Sequence, residues 1–240
     1  LLGWILGHKR PQNKVFFARE GCATVALSWI VLSIFGSLPF IFTGAIPNPV
    51  DALFETVSGF TTTGASILSD VEALSHCNLF WRSFTHWIGG MGVLVFMLAI
   101  LPMTGGSHMN LMKAESPGPS VSKFAPKVQT TAKILYLIYL ALTLIQIAFL
   151  LIGKMPLFDA LTITFGTAGT GGFAIKNDSI TSYSPYLQNV VTIFMILFGI
   201  NFSFYYILLM KKFKQAFKLS EVRTYLLIIL SAVLLIAFNI

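Results

Sequence analysis

The chain has 240 residues and a formal net charge of +7, and 55% of its residues are hydrophobic while only 10% are charged. A soluble domain carries about 25% charged residues, so this composition excludes an ordinary water-soluble domain and indicates an integral membrane protein. The basic residues stand in short clusters between long apolar runs, which argues against a nucleic-acid-binding surface.

Apolar runs occupy both ends of the chain. Residues 1–6 resemble the end of a membrane span, and residues 225–240 resemble the beginning of another. The first residues lack the basic region and the small-residue cleavage site of a signal peptide. We therefore expect the chain to be a piece of a longer polypeptide.

Between those ends, four stretches are long enough to cross a bilayer as helices, which takes about 20 residues. They are residues 21–44, 80–101, 134–152 and 190–210. Two shorter apolar stretches, 51–60 and 158–167, would reach only about 15 Å as helices, half the thickness of the hydrocarbon core. Each is followed by a Gly- and Thr-rich segment, so the sequence predicts an all-α protein with a span, a half-helix, a loop and a span, twice over.

Clusters of Lys and Arg predict how these segments cross the membrane. One precedes the first span, one lies between the second and third, and one follows the fourth: Lys9, Arg10, Lys14 and Arg19; Lys113, Lys123, Lys127 and Lys133; Lys211, Lys212, Lys214, Lys218 and Arg223. Because cytoplasmic loops are enriched in Lys and Arg, we expect all three clusters on the cytoplasmic side. Each half-helix must then enter from the outer side and return to it.

The two span–half-helix–loop–span units are internal repeats, named here the first and second repeat. The triplet Asp-Ala-Leu at 51–53 recurs at 159–161, an offset of 108 residues, and a proline precedes each half-helix, at Pro49 and Pro156. Proline suits the first helical turn, and an acidic residue just after it complements the helix dipole. A shared hydropathy order with a shared local pattern is typical of an internal membrane repeat.

The loops after the half-helices contain the candidate ligands. These are Thr62, Thr63 and Gly64 in the first repeat and Thr170, Gly171 and Gly172 in the second. An ungapped register pairs Gly64 with Gly172, whereas matching Thr-Gly to Thr-Gly pairs it with Gly171, and both pairings stay open. Irregular backbone at membrane depth is tolerated only where it lines a passage or is buried in protein. The side chains here are small and uncharged, so backbone carbonyls and Thr hydroxyls remain as ligands, which suit a dehydrated monovalent cation.

Two other interpretations of these loops fit the sequence less well. A Thr/Gly run after one short helix is usually a C-cap and a turn, but two copies, each between full spans, favour a passage. Residues 166–172 also resemble a phosphate-binding glycine loop, yet they lack the Lys-Ser/Thr ending of a P-loop. The sequence therefore favours cation passage over nucleotide binding.

Five motifs occur in combination: FETVSGFTTTGA at 54–65, WRS and WIGGMG within 81–92, AESPG at 114–118 and TGGF at 170–173. Together they resemble the Trk/Ktr-type potassium uptake proteins over nearly the whole chain. The resemblance implies four repeats around one pore, with a glycine from each loop forming a potassium filter. On this basis the chain corresponds to the N-terminal half, and its filter residues are those named above.

A few further residues carry expectations of their own. Arg82, at an expected membrane boundary, should extend its side chain towards the interface, with bracing of the outer mouth as the alternative. Glu55 either satisfies amides of its own loop or attracts cations directly. His86 and the glycines that follow it should mark close packing against a half-helix. Asn201 and Ser203 either face the passage or bond to a neighbouring helix.

No enzymatic chemistry is indicated. Neither paired carboxylates nor a Ser-His pair of suitable spacing was found, and the four histidines and two cysteines show no metal-ligand spacing. The protein is predicted to be no enzyme and to need no cofactor, with K⁺ as the transported ion. The rival function is a secondary transporter of another solute or of Na⁺ that uses broken helices at mid-membrane.

These expectations combine into one architecture. Residues 1–20 would end a preceding helix and form a basic linker, 21–102 the first repeat, 103–133 a cytoplasmic linker, 134–211 the second repeat, and 212–240 a basic linker and the start of a third. The expected partners are the lipid bilayer, the remaining repeats of the same polypeptide or a second copy as a homodimer, and a cytoplasmic nucleotide-binding regulatory subunit. The expected location is the bacterial plasma membrane.

Overall fold

The computed structural model describes residues 18–92 and 128–239, and these residues form helices joined by loops. In chain order the helices are α1 (Ala18–Phe42), α2 (Pro49–Phe60), α3 (His76–Met91), α4 (Val128–Ile152), α5 (Leu157–Ala168), α6 (Pro185–Gly199), α7 (Phe202–Leu209), α8 (Phe213–Ala216) and α9 (Ser220–Asn239). No strand occurs within those two ranges. The predicted all-α fold class is confirmed.

Three of the helices are long and apolar enough to cross a membrane. Their apolar stretches are Cys22–Phe42 in α1, Ala132–Ile152 in α4 and Ser220–Phe238 in α9, of 21, 21 and 19 residues. About 20 residues are needed to span the hydrocarbon core. Large apolar side chains on these helices, such as Phe35 and Leu235, are exposed, as expected for segments that contact lipid or further protein. The predicted membrane character is confirmed.

The two half-helices have 12 residues each, which corresponds to a length of about 18 Å. In α2, Pro49 occupies the first helical turn, and the Asn48 side chain accepts a hydrogen bond from the backbone N–H of Val50. In α5, Pro156 itself is the N-cap residue. Asp51 and Asp159 lie in the two first turns, where a negative charge complements the positive end of the helix dipole.

The second predicted span, residues 80–101, lies partly outside the described residues. Its described part is α3, which begins at His76 and ends at Met91, where Gly92 is the C-cap residue. Residues 103–127 of the predicted linker 103–133 lie outside the described ranges, as do Lys9, Arg10 and Lys14 of the first basic cluster.

The fourth predicted span, residues 190–210, is wrong as a continuous helix, because α6 and α7 meet at an angle of 87°. Asn201 starts α7 anew, since its side chain accepts a hydrogen bond from the backbone N–H of Ser203 at 2.9 Å. Gly199 lies so close to the ring of Tyr225 that a Cβ atom there would collide with the Tyr225 hydroxyl. An N-cap residue and a tightly packed glycine therefore redirect a stretch that is apolar enough for one span.

Tyrosine hydroxyls bond to carbonyls in the last turn of α6. The Tyr205 hydroxyl donates to the carbonyl of Leu197 at 2.6 Å, and the Tyr225 hydroxyl donates to that of Ile196 at 3.2 Å. Unpaired backbone groups in a membrane cost several kcal/mol each, so these bonds make the break tolerable. The side chain of Asn201 also donates to Glu221 of α9, which identifies the neighbouring helix as its partner.

Helix α3 is the centre of the arrangement because it packs against both half-helices, α2 and α5. A Cβ atom on Gly89 would collide with the carbonyl oxygen of Phe60, and one on Gly90 would lie 2.9 Å from the Cα atom of Gly169. These glycines let α3 approach the C-terminal ends of α2 and α5 at the same time. The close packing expected after His86 is confirmed.

Candidate cation-binding loops

The loops that follow α2 and α5 have matching positive φ angles at equivalent positions. Thr62 and Thr170 have φ angles of 55° and 57°, and Gly64 and Gly172 have φ angles of 75° and 78°. Non-glycine residues seldom adopt positive φ, so a matched pair of such angles is a specific geometric signature. The ungapped register is therefore the structural one, and Gly172 is the counterpart of Gly64.

The same hydrogen bonds end both half-helices. The backbone N–H of Thr61 donates to Val57 at 2.8 Å, and that of Gly169 donates to Phe165 at 3.3 Å. One residue later, Thr62 and Thr170 donate to carbonyls three residues before them, at 3.0 and 2.8 Å. Each helix thus tightens through one turn and then leaves the helical path at a threonine with positive φ.

The two loops lie directly against each other. A Cβ atom on Gly64 would collide with the carbonyl oxygen of Gly171, and one on Gly169 would lie 3.2 Å from the methyl carbon of Thr62. Glycine is thus required at position 64 for two reasons: the backbone has a positive φ angle there, and the second loop approaches too closely for a side chain. The structure brings together the residues that the sequence singled out in separate repeats.

Oxygen atoms of both loops are available to a ligand. Thr63, Thr170 and Gly172 are exposed, and Gly64 and Gly171 are half-buried. Among the described residues, no hydrogen bond is accepted by the carbonyls of these five positions. The hydroxyl of Thr63 is 2.8 Å from that of Thr61, which fixes its direction. The chemistry offered is that of neutral oxygen ligands at the negative, C-terminal ends of two helices.

A buried ion pair between Glu55 and Arg82 bonds to the segment that follows the first loop. Arg82 Nε lies 2.6 Å from Glu55 Oε1, and the two side chains are 4% and 0% exposed. Glu55 also accepts hydrogen bonds from the Ser66 hydroxyl at 3.0 and 3.1 Å and from the backbone N–H of Ile67 at 2.9 Å. The carboxylate therefore satisfies groups of its own loop, one of the two roles expected for it.

Arg82 extends from the same ion pair to the second loop. Its Nη1 atom donates to the carbonyl of Ala174 at 2.8 Å, and its guanidinium carbon lies 3.6 Å from the centroid of the Phe173 ring. The imidazole of His86 stacks on that ring with the centroids 3.9 Å apart and the planes 5° from parallel. The Arg82 guanidinium and the His86 imidazole are both so close to the centroid that they must lie on opposite faces of the ring. Phe173 is therefore held between two residues that are one helical turn apart on α3.

These contacts correct one expectation and extend another. Arg82 does not extend towards the membrane interface, because Glu55 and the second loop hold it inside the protein. The boundary position suggested an interfacial side chain, whereas the partner carboxylate 27 residues earlier neutralises the charge in the interior. The contact of Phe173 with Arg82 and His86 was not foreseen. The sequence feature that could have indicated this contact is Phe173, which directly follows the Thr-Gly-Gly of the second loop.

Polar contacts also join the segments that follow the two loops. Asn177 donates its side-chain amide to Asp70 at 2.8 Å and its backbone N–H to Glu72 at 3.0 Å, and it accepts from the backbone N–H of Val71 at 2.8 Å. The hydrogen bond from Asn177 is the main cause that lowers the pKa of Asp70. The acidic residues that follow the first loop are thus tied to the segment that follows the second.

Comparison with known proteins gives a consistent result. The chain matches the TrkH family, described as a cation transport protein, over residues 2–240. It is 40% identical over 213 residues to the Trk system potassium uptake protein TrkH of Salmonella typhimurium, which covers 87% of this chain and 43% of the relative. The Trk system potassium uptake protein TrkG of Escherichia coli is 34% identical over 226 residues, or 92% and 47% of the two chains.

A solved structure agrees with the sequence relatives. The crystal structure of the potassium transporter TrkH from Vibrio parahaemolyticus aligns with a TM-score of 0.67 and 31% identity, over 85% of this chain and 41% of that chain. The chain thus spans less than half the length of these relatives. Given the family match along almost its entire length, the chain belongs to the TrkH family of cation transport proteins.

Proposed function

We propose that the protein takes up K⁺ through a pore in the bacterial plasma membrane, and that Thr62, Thr63 and Gly64 with Thr170, Gly171 and Gly172 form half of its selectivity filter. The observation that carries the proposal is the pair of touching loops with matched positive φ angles. The relatives are named as potassium uptake proteins, which favours K⁺ over Na⁺ or another solute.

The mechanism follows from the chemistry of the loops. Carbonyl and hydroxyl oxygens replace the hydration shell of the ion, and the C-terminal ends of α2 and α5 add negative potential where the ion loses its water. The unused carbonyls of Gly64 and Gly172 come from equivalent positions of the two repeats. No covalent step and no cofactor is involved.

Two loops enclose an ion on two sides only, so the proposal includes further protein. Residues 21–102 and 134–211 act as two repeats, and the remaining repeats of the same polypeptide or a second copy supply the other sides of the filter. Family resemblance supports a homodimer and a cytoplasmic nucleotide-binding regulatory subunit. The exposed basic residues Lys211, Lys212, Lys214 and Lys218 are the docking surface proposed for that subunit or for acidic lipid.

The test compares two glycines that share a backbone conformation. Gly64→Ala places a methyl group against the carbonyl of Gly171, whereas Gly44→Ala, at φ 71°, meets nothing within 4 Å. Both carry the strain of positive φ, about 1–2 kcal/mol. Only Gly64→Ala should reduce the ratio of K⁺ to Na⁺ uptake, by roughly tenfold, equivalent to about 1.4 kcal/mol. Uptake is measured in a potassium-starved host that produces the intact protein.

The outcomes separate the candidate functions. Unchanged selectivity of Gly64→Ala at normal protein levels would contradict the filter assignment. Equal loss in both glycine variants would attribute the effect to strain rather than to the filter. Uptake of Na⁺ with no K⁺ uptake by the parent protein would favour the rival secondary transporter.

A further inference from the structure

We propose that the buried pair Glu55–Arg82 is a positioning device that couples the two filter loops, so that residues of the first repeat set the ion selectivity of the second. This inference rests on the proposed function and adds residues that do not touch the ion. Neither residue lies in the loop segments assigned to the filter, and both are almost completely buried. Their role must therefore be exerted through the groups they hold.

Glu55 acts on the first loop. Its carboxylate accepts from Ser66 and from the backbone N–H of Ile67, just beyond Gly64 in the chain. Charge-assisted bonds of this kind are about twice as strong as neutral ones and fix direction as well as distance. The segment that leaves the first filter loop is thereby anchored to α2.

Arg82 acts on the second loop from the other side of the pair. The hydrogen bond to Ala174 and the contact with the face of Phe173 both fall immediately after Gly172. The opposite face of the ring is covered by His86. The second loop thus has its exit fixed by α3 of the first repeat, and the orientation of Arg82 is itself fixed by Glu55.

The second repeat has no ion pair of its own at the equivalent positions. Glu55 corresponds to Ile163 and Arg82 to Val190 in the ungapped register, and both of these residues belong to the apolar core. Buried ion pairs frequently contribute little net stability compared with apolar residues of similar volume. A pair that also holds two loops has a positional role that an apolar pair cannot fill.

The first experiment uses Arg82→Lys in the intact protein. Lysine keeps the charge beside Glu55 but loses the planar fork that bonds to Ala174 and stacks on Phe173. Hydrogen exchange of the purified protein should then be about tenfold faster at the Gly172 amide, which bonds to Gly166, and unchanged at the Ile67 amide, which bonds to Glu55. The ratio of K⁺ to Na⁺ uptake in proteoliposomes should fall by roughly tenfold.

A second variant separates positioning from stability. The double change Glu55→Ile and Arg82→Met removes both charges together, so no unpaired charge is buried and the fold should be retained. Both amides should exchange faster and selectivity should fall, although the unfolding temperature stays near that of the parent. Ser83→Ala is the matched control, because Ser83 is a buried α3 residue whose hydroxyl has no hydrogen-bond partner among the described residues.

The possible results test the role of the Glu55–Arg82 pair separately from the proposed function in K⁺ uptake. If the Gly172 amide exchanges at the parental rate in both variants, Arg82 does not position the second loop and the inference is overturned. If exchange changes as expected but selectivity does not, the coupling to ion selection is overturned. If the parent protein transports no K⁺, the proposed function fails, while the exchange rates still show whether the pair positions both loops.

Discussion

The loop that follows α2 is held by polar side chains of its own repeat. The Ser58 hydroxyl donates to the carbonyl of Ala65, and the Glu55 carboxylate accepts from the backbone N–H of Ile67. Each bond joins α2 to the segment that follows the loop. Side chains therefore span the gap between helix and loop in this repeat.

The loop that follows α5 reaches matching positive φ angles at Thr170 and Gly172 by direct contact. Gly166 replaces Ser58, and the carbonyl of Phe173 lies so close to Gly166 that a Cβ atom there would collide with it. The backbone N–H of Gly172 donates to the carbonyl of Gly166 at 3.2 Å. Ile163 replaces Glu55 and packs in the apolar core, so the polar support comes from Arg82 of the first repeat.

The comparison shows that one loop geometry can be built in two ways. Polar support uses a carboxylate that must be neutralised when buried, and the cation that neutralises it is then free to bond to the next loop. Close backbone contact avoids the charge but leaves no side chain that extends to a neighbour. The two repeats are thus similar in backbone but unequal in their contribution to each other.

The largest difference between the repeats should appear when one partner of the ion pair is removed. Arg82→Met leaves the Glu55 carboxylate buried without its cation, which should lower the free energy of unfolding by about 3–5 kcal/mol. Ile163→Val, at the position equivalent to Glu55, should lower it by only about 1 kcal/mol. Denaturant unfolding of the intact protein in detergent measures both values.

A smaller cost for Arg82→Met than for Ile163→Val would contradict the asymmetry. It would show that the buried Glu55 side chain does not depend on Arg82 for its stability. Adding Glu55→Ile to Arg82→Met should restore most of the lost stability, because no charge then remains buried.

An intermediate effect is expected where serine in one repeat faces glycine in the other. Gly166→Ala would force the carbonyl of Phe173 away, and overpacking of this kind typically costs about 1–3 kcal/mol. Ser58→Ala removes only the bond to Ala65, a cost of about 1 kcal/mol. The unfolding temperature, compared with the parent in the same detergent, measures the order of the two effects.

A larger loss of stability for Ser58→Ala than for Gly166→Ala would contradict this expectation. It would mean that the second loop adapts to an added methyl group and that the first depends on a single hydroxyl. Thr192→Ala is a suitable control, because the Thr192 hydroxyl donates to the carbonyl of Gln188 within an exposed turn of α6.

Much of the fold follows from local patterns in the sequence. The length of each half-helix follows from a short apolar run that ends at Thr or Gly, and the register between repeats follows from the Asp-Ala-Leu triplets. Both signals are local and repeated, so they could be found without knowledge of the contacts. The choice between Gly171 and Gly172 needed backbone angles, because both residues satisfy the pattern.

What the sequence did not predict depends on partners distant along the chain. The bend after α6 is made by Asn201 and by Tyr225 of α9, while the two helices together are apolar enough for one span. The burial of Arg82 depends on Glu55, which lies 27 residues earlier. A hydropathy profile averages over such positions, so a charge paired inside the protein looks the same as a charge at the membrane interface.

The smallest effect is expected at the contact between Asn177 and Asp70. Asn177→Ala removes the amide that bonds to Asp70, the main cause of its lowered pKa, so this pKa should rise towards the ordinary value of about 3.9. Titration of the Asp70 carboxyl by carbon NMR measures the shift, and Thr181→Ala, in the same exposed segment, should leave it unchanged.

A lowered folded-state pKa stabilises the fold above the unfolded-state pKa, and this contribution is lost as pH falls through the folded-state value. The variant should therefore lose the stability that Asp70 contributes at a higher pH than the parent does. An unshifted titration would contradict this expectation, because it would show that the backbone N–H groups of Glu72 and Ala73 alone hold the pKa of Asp70 down.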